Sequence, residues 1–232
     1  MSVLSALQSA ALRLNGTRPT TFFSSTNVFE MELADLANEV AKDIAKSHDW
    51  QALTKVATFT GDGTTTDFSP PSDYDRMMIR SDLLDTASFA WGYSRIRDVN
   101  EWLLLTQEGL EATPGSWIFF GNLFQFVPAP AASSTTKFPY ISNGIVTPSS
   151  GKDEIQFLRD DDAFKLPERL LTLGVIWRWR EQKKLDAATE QAAFEKAFNE
   201  YAGRDKGSRI LFEGPARFPA TVTTAFPGTL GA

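Results

Sequence analysis

Few side chains in this sequence are of a type that could carry out chemistry. The 232 residues include one histidine and no cysteine, which excludes disulfide bonds, thiolate zinc sites and a cysteine nucleophile within the chain. The one imidazole, His48, stands directly before Asp49, and sequence neighbours seldom converge as the members of a catalytic relay do. We therefore expect His48 to have a structural role near the carboxyl end of a helix, where a cation is favourable.

Three consecutive carboxylates, Asp160, Asp161 and Asp162, could bind Ca²⁺ or Mg²⁺, because hard cations take several oxygen ligands. Neither the spacing nor the glycine of a calcium-binding loop follows, so we predict solvated carboxylates at the start of the next helix. Gly61-Asp62-Gly63 lacks the phosphate-binding motifs and predicts a hairpin turn. The sequence thus predicts no catalytic, cofactor-binding or metal-binding residue, although a carboxylate pair of a hydrolase stays open.

Tryptophan and arginine alternate in a segment of helical spacing, Trp177-Arg178-Trp179-Arg180. Aromatic and basic side chains together can stack nucleic-acid bases. Residues two apart on a helix point to different faces, however, and the chain carries a net charge of −6, which argues against a phosphate-backbone binder. Protein interfaces favour the same side chains. We therefore predict that Trp177 and Trp179 are subunit-subunit or core aromatics.

Apolar residues at intervals of three to four predict five helices. They cover residues 3–14, 28–47, 98–108 and 167–184, and a last stretch that follows Leu185-Asp186 and ends at Gly203. Asn27 and Glu30 indicate a capping box before the second helix. The short link before the last helix predicts an antiparallel helix pair.

Between the second and fourth helices the spacing is that of strands. Hairpins are predicted from 55–60 with 64–68, and from 117–120 with 123–127 around Gly121-Asn122. Further strands are predicted at 136–142 and 153–158. No apolar run approaches the roughly 20 residues of a membrane span, so we expect no membrane partner.

These elements predict a mainly α fold with a β insertion. We expect an antiparallel helical bundle formed by residues 1–54 and 159–206, a β-rich insertion at 55–158 and an extended C-terminal arm at 207–232. The arm is rich in glycine and proline yet contains Ile210, Leu211, Phe212, Phe218 and Phe226. Because a solvated tail would not normally carry three phenylalanines, we predict that the arm becomes ordered on a partner.

Several segments, in this order, are similar to one known family. They are His48–Thr54, Ala57–Thr60, Pro71–Met77, Phe126–Pro130, Pro139–Ser142 and Leu166–Arg180. With them the chain resembles the head-to-tail adaptor, or connector, proteins of tailed bacteriophages and gene transfer agents over residues 1–212. The helix at 166–185 and the block at 48–60 are the most specific parts.

The resemblance implies a structural virion protein in the neck, assembled in the host cytoplasm, and not an enzyme. It implies a homo-dodecameric ring under the portal protein, which extends the DNA channel and offers a platform to stopper or tail proteins. Genomic DNA would pass through the lumen without specific binding. Carried over by position, the resemblance puts Arg209, Ile210, Leu211, Phe212 and Phe218 of the arm on the portal.

Two alternatives stay open at this point. One is another neck or tail-completion protein, and the sequence of the helix that begins at Leu166-Pro167 favours an adaptor over it. The other, of a different class, is a carboxylate-dependent hydrolase with a β-rich substrate region. It would need two acidic side chains that converge in a pocket and have shifted pKa values.

Overall fold

The computed structural model describes residues 2–78, 83–85, 93–107, 115–149 and 151–205. Outside them lies the predicted portal-binding segment, with Arg209, Ile210, Leu211, Phe212 and Phe218. The chain divides into two compact units. We call residues 2–54 with 141–205 the helical unit, and residues 55–140 the β-rich unit. Residues 141–158 thus pack with the helices, whereas the sequence prediction assigned them to the insertion.

The fold is mixed α/β, with helices at both ends of the described chain and most strands between them. Each of the five predicted helices is present. They are α1 (Val3–Asn15), α2 (Val28–Ser47), α3 (Val99–Gln107), α4 (Glu168–Gln182) and α5 (Ala188–Asp205). A single 3₁₀ turn, Gln51–Leu53, follows α2. The last helix continues through Gly203 to Asp205, so the predicted end at that glycine is wrong.

The strands are short, and only two of them exceed five residues. They are β1 (Thr54–Thr60), β2 (Asp67–Phe68), β3 (Tyr74–Met77), β4 (Leu84–Asp85), β5 (Ser94–Arg95), β6 (Ser116–Phe120), β7 (Leu123–Val127), β8 (Thr135–Ser142), β9 (Val146–Thr147) and β10 (Ala163–Phe164). One sheet has the order β1-β8-β3, with β4 also paired to β8, and another has the order β2-β7-β6-β5. The pair β9 and β10 belongs to the helical unit.

The start of α2 shows how the sequence sets a helix boundary. The Asn27 side chain accepts a hydrogen bond from the Phe29 N–H at 3.1 Å, which satisfies one of the free donors of the first turn. The reciprocal bond of a capping box is absent, because the Asn27 N–H donates to Ser25 Oγ instead. Glu30 accepts a bond from the Asn27 side-chain amide at 3.5 Å. The predicted cap residue is confirmed, whereas the predicted capping box is wrong.

In the helical unit α4 packs against α1, α2 and α5. The buried faces of these helices hold mostly alanine, leucine, valine and isoleucine. At Gly174 the space is limiting, since a Cβ there would lie 2.5 Å from Cγ1 of Val40 on α2 and 3.3 Å from the Phe194 ring on α5. A glycine in the middle of α4 therefore lets the neighbouring side chains approach closely.

The hairpin of β6 and β7 is confirmed, with Trp117 opposite Phe126 and Phe120 opposite Leu123. Both turn residues, Gly121 and Asn122, have φ near +60°, as the favoured two-residue turn requires. Pairing brings Trp117 and Phe126 to the buried face, where both are fully buried. The strand predicted at 136–142 is also confirmed, as β8.

The hairpin predicted around residues 61–63 is wrong. β1 pairs with β8 and β2 with β7, so the two segments on either side of Gly61 belong to different sheets. Gly61 instead continues the pairing of β1, because its N–H donates to the Ser134 carbonyl and its carbonyl accepts from the Ser133 N–H, both at 2.9 Å. A Cβ on Gly61 would lie 2.4 Å from the Ala131 carbonyl oxygen. The glycine is required for close backbone approach.

The strand predicted at 153–158 is wrong as well, since only Glu154 forms an isolated bridge there, with Val146. Side chains hold the rest of the segment. Asn38 of α2 accepts from the Phe157 N–H at 2.7 Å and donates to the Phe157 carbonyl at 3.2 Å. One amide side chain thus takes the place of a partner strand for the backbone groups of Phe157.

Candidate interaction surfaces

His48 ends α2 and lies in the helical unit, where it is mostly buried. Its ring packs edge-on against Trp50, with 4.7 Å between the centroids, and its Nε2 lies 3.4 Å from Asp205 Oδ2 of α5. Asp205 is the last described residue and lies far from His48 in the sequence. No sequence motif indicated this contact. The position at a helix carboxyl end is the one predicted.

Asp160 connects two loops of the helical unit. Its Oδ1 accepts from the Phe22 N–H at 2.8 Å, and its Oδ2 accepts from the Thr21 hydroxyl at 2.5 Å. The prediction of a solvated carboxylate is wrong here, because the donors come from a loop about 140 residues away in sequence. The side chain fixes the connection between α1 and α2.

Asp162 is 1% exposed, and its Oδ2 accepts from the N–H groups of Leu158 and Arg159 at 2.8 and 2.9 Å. For this carboxylate too the prediction of solvation is wrong, since backbone donors replace the water. Asp161 is exposed, and a hydrogen bond from Ser149 lowers its pKa. In the part of the chain that the structure describes, no three histidine or acidic side chains converge on a metal-sized site.

Asp62, in the exposed loop between β1 and β2, accepts hydrogen bonds from the Thr65 hydroxyl and from the N–H groups of Thr64 and Thr65. These bonds hold the pKa of its carboxyl far below the usual range. A general acid needs a raised pKa, and both Asp62 and Asp161 are shifted the other way. The described carboxylates with shifted pKa values therefore lend no support to a hydrolase.

A groove of about 220 Å³ opens between α2, α4 and α5 of the helical unit. Its walls are mostly apolar and include Val40, Ile44, Trp177, Phe194 and Phe198. The rings of Trp177 and Phe194 stack at 5.6 Å and 21°. Side chains of this type at an open groove are those that protein interfaces favour.

Charged groups border this groove. Arg178 places its guanidinium carbon 4.6 Å from the Trp177 ring centroid and pairs with Asp43 at 3.1 Å and Glu181 at 3.3 Å. An apolar centre with a charged rim is the usual layout of a protein-binding surface. The sequence showed the Trp-Arg alternation but not the groove, which needs Phe194 of α5 opposite Trp177.

Trp179 lies on another side of α4. Its ring meets that of Phe29 edge-on at 5.8 Å, and the Lys183 ammonium lies 5.7 Å from its centroid. Lys183 also pairs with Glu32 at 2.8 Å. Both tryptophans are half-buried, and their assignment to subunit contacts stays a prediction.

A larger cleft, of about 520 Å³, lies in the helical unit at the end of α5. Its lining includes Trp50, Leu166 and Tyr201, together with the charged side chains of Glu168 and Asp205. Both carboxylates are engaged in structural contacts, since Glu168 accepts from the Ser5 hydroxyl and Asp205 from the Gln51 N–H. Glu168 and Asp205 thus each connect two segments of the helical unit.

Large apolar side chains are exposed in each unit. Those of the helical unit are Leu12, Val28, Met31, Ile155, Leu158 and Leu185. Those of the β-rich unit are Val56, Leu103, Leu104 and Phe120. None of the described helices is apolar over a stretch long enough to cross a membrane.

A family model described as SU10 adaptor protein matches residues 1–219. The chain belongs to the SU10 adaptor protein family. The match covers every described element, so the resemblance to phage head-to-tail adaptors is confirmed. It also extends past residue 212, where the resemblance seen in the sequence ended. No curated protein matches the chain.

The family is one of structural bacteriophage proteins, and the adaptor therefore has its place in the neck of a virion, among portal and tail proteins. An adaptor acts through its surfaces.

Proposed function

We propose that this protein is the head-to-tail adaptor that forms a ring under the portal, extends the DNA channel and provides a platform for stopper or tail proteins. The observation that carries the proposal is the family match over residues 1–219. The match includes Arg209, Ile210, Leu211, Phe212 and Phe218, so the family pattern continues into the arm that we assign to the portal.

The proposed architecture is an antiparallel helical bundle that carries the β-rich region and ends in an extended arm. Contacts between α4 and α5 support it. Arg180, near the end of α4, pairs with Glu190 near the start of α5, whereas Trp177 stacks on the later Phe194. A contact order that runs in opposite directions along two helices, joined by a short link, is that of an antiparallel pair.

Exposed apolar side chains on the helical unit support ring formation. Val28 and Met31, in the first turns of α2, are 69% and 54% exposed, and Leu185 is similarly open. A head-to-tail contact between copies that closes on itself gives a ring, which we propose is homo-dodecameric to match the portal. A ring carries many arms on one scaffold, so a modest affinity of each arm becomes a high avidity for the portal.

Charge supports the role as a conduit. The chain has 29 acidic and 23 basic residues, and a net negative lumen would repel phosphates, so genomic DNA would pass without specific binding. We place the ring in the virion neck, after assembly in the host cytoplasm, with portal on one side and a stopper or tail protein on the other.

Two deletions test the arm. Removal of residues 207–232 is expected to abolish association with the portal, because it removes the apolar segment with Ile210, Leu211 and Phe212. Removal of residues 220–232 alone, beyond the family match, is the control and is expected to leave association intact. Light scattering with and without portal gives the mass, and far-UV circular dichroism shows whether the helices persist.

The outcomes separate the alternatives. The adaptor alone is expected to be a monomer or weak oligomer and to form rings when portal is present. Portal association that survives the longer deletion would contradict the assignment of the arm. A chain that never binds portal but binds tail proteins would instead be another neck or tail-completion protein.

A further inference from the structure

The end of α5 is fastened to the turn that follows α2. One oxygen of the Asp205 carboxylate, Oδ2, accepts from the backbone N–H of Gln51 at 3.0 Å and lies 3.4 Å from His48 Nε2. Both side chains of the His48–Asp205 pair are largely shielded, at 15% and 17% exposure. A charge-assisted bond from a backbone N–H to a largely shielded carboxylate is a stronger tie than an exposed ion pair.

The turn that Asp205 contacts is itself held firmly. Trp50, 2% exposed, donates its indole N–H to the Ile44 carbonyl of α2 at 2.8 Å. The same ring meets Phe198 of α5 edge-on at 5.9 Å. The Gln51 N–H opens a 3₁₀ turn, a position at which backbone donors have no partner within their own turn. The Gln51 N–H thus follows a residue that is packed and hydrogen-bonded in the helical unit, and it needs an acceptor from outside its own turn.

The position of Asp205 in the chain is also relevant. Asp205 lies in the last described turn of α5, and the arm assigned to the portal begins two residues later, at Gly207. Exposed ends of helices fray unless they are tied down. A tie at this residue would hold the described part of α5 that precedes the arm in place.

We propose that His48, Gln51 and Asp205 form a latch that fixes the root of the C-terminal arm and so prepares it for the portal. The inference rests on the proposed function for its consequence, though not for its geometry. A fixed root removes conformational freedom before binding, so less entropy is lost when the arm docks. Asp205 is a positioning residue in this scheme, since it would act through the arm and touch no portal group itself.

The test compares Asp205→Ala with Glu200→Ala in the full chain. Glu200 pairs with Arg204 one turn earlier on the same helix, so its loss is a matched control for the removal of a carboxylate. Because the chain has no cysteine, Ser208→Cys introduces a unique site for a spin label. Amide hydrogen exchange at Gln51 and the mobility of the label are measured on the adaptor without portal, and portal affinity is measured separately.

Asp205→Ala is expected to speed exchange of the Gln51 amide by about tenfold, since the bond to a charged acceptor is lost. It should also raise label mobility and weaken portal binding by roughly three- to tenfold. Glu200→Ala should change none of these. Asp205→Asn keeps an acceptor for the Gln51 N–H and is expected to restore most of the exchange protection.

Unchanged exchange and label mobility in Asp205→Ala would overturn the latch, as would equal changes in Glu200→Ala. Increased mobility with full portal affinity would overturn its role in preparing the arm. The proposed function fails by a different result, namely a full-length chain that never binds portal. The exchange and mobility readouts do not involve portal, so the two failures are distinguishable.

Discussion

The helix faces of the helical unit and the core of the β-rich unit are packed with different side chains. The buried positions of α1 and α2 are alanine, leucine, valine and isoleucine, without a single aromatic ring. The main buried cluster of the β-rich unit is aromatic apart from Ala57 and Leu83. Long helices supply many small contacts along their length, whereas strands of two to eight residues supply few. Each inward residue of the short strands must therefore bury a large surface, which aromatic rings do.

The stability of the two units should therefore be sensitive to different kinds of substitution. In the β-rich unit the stability should depend on single large rings, because each ring contacts several others. In the helical unit the stability should depend on how closely the helices approach one another, because small residues allow the helices to pack without gaps. Substitutions that remove volume should harm the first most, and substitutions that add volume should harm the second.

The largest effect is expected from Phe124→Ala in β7. Phe124 is fully buried, and its ring lies within 4.6 to 5.9 Å of five other rings. Loss of such a ring costs about 3–5 kcal/mol of unfolding free energy. Phe120→Ala, at a side chain 49% exposed in the same hairpin, is the control, with a cost below about 1 kcal/mol. Denaturant unfolding measures both.

Amide exchange sharpens this result. Protection should fall in β6 and β7 of the Phe124→Ala variant and stay near its original level in the α4 helix. Equal costs for Phe124 and Phe120 would contradict the view that the aromatic cluster carries the stability of the β-rich unit.

A smaller loss of stability, caused by added rather than removed volume, is expected from Gly174→Ala in α4. Helix propensity alone would favour alanine by about 1 kcal/mol. The added Cβ would meet Val40 Cγ1 at 2.5 Å, and overpacking of this kind costs about 1–3 kcal/mol, so the net change should be destabilising. Thermal or denaturant unfolding gives its size.

Val40→Ala provides the rescue. It costs stability by itself, but in the double variant it makes room for the new methyl group. A double-mutant cycle should show a favourable coupling of about 1 kcal/mol or more. Stabilisation by Gly174→Ala alone would show that the helices have room to spare, and the contrast between the two units would lose its basis.

The helices were predictable from the sequence because their signal is local. The stripe of α2 recurs every three to four residues, and Asn27 marks its start. Strand pairing is not local. β1 reads as half of a hairpin, yet its partner β8 lies some 80 residues further on, and only the close approach at Gly61 reveals it. The one hairpin predicted correctly in full has both partners joined by Gly121-Asn122.

The same limit applies to the candidate surfaces. The aromatic alternation at Trp177 was visible, but the groove depends on Phe194 from another helix. Asp160 read as solvated because its donors, such as the Phe22 N–H, come from a loop distant in sequence. The latch joins Asp205 to His48 across more than 150 residues. Residue types at these sites were informative, whereas their partners required the fold.

The last prediction concerns the pH dependence of stability, which we expect to arise from the hydroxyl group of Tyr140 in the aromatic cluster. Tyr140 is 4% exposed and donates its hydroxyl to Asp73 Oδ1 at 2.8 Å, while Lys55 pairs with Asp73 Oδ2 at 2.8 Å. Burial first, and then the hydrogen bond to Asp73, raises the pKa of Tyr140 to about 12. The unfolded chain loses this proton near pH 10, so the unfolded state ionises first.

A raised folded pKa means that the stability contributed by Tyr140 is fully present below pH 10 and is lost as the pH rises toward 12. The wild-type chain should therefore lose up to about 2 kcal/mol more than Tyr140→Phe over this interval. Denaturant unfolding of the two chains at pH 9 and at several higher values measures the difference. Tyr74, whose pKa burial also raises, is present in both chains and cancels in the comparison. Parallel curves for the two chains would mean that the hydroxyl of Tyr140 adds no pH dependence to the β-rich unit.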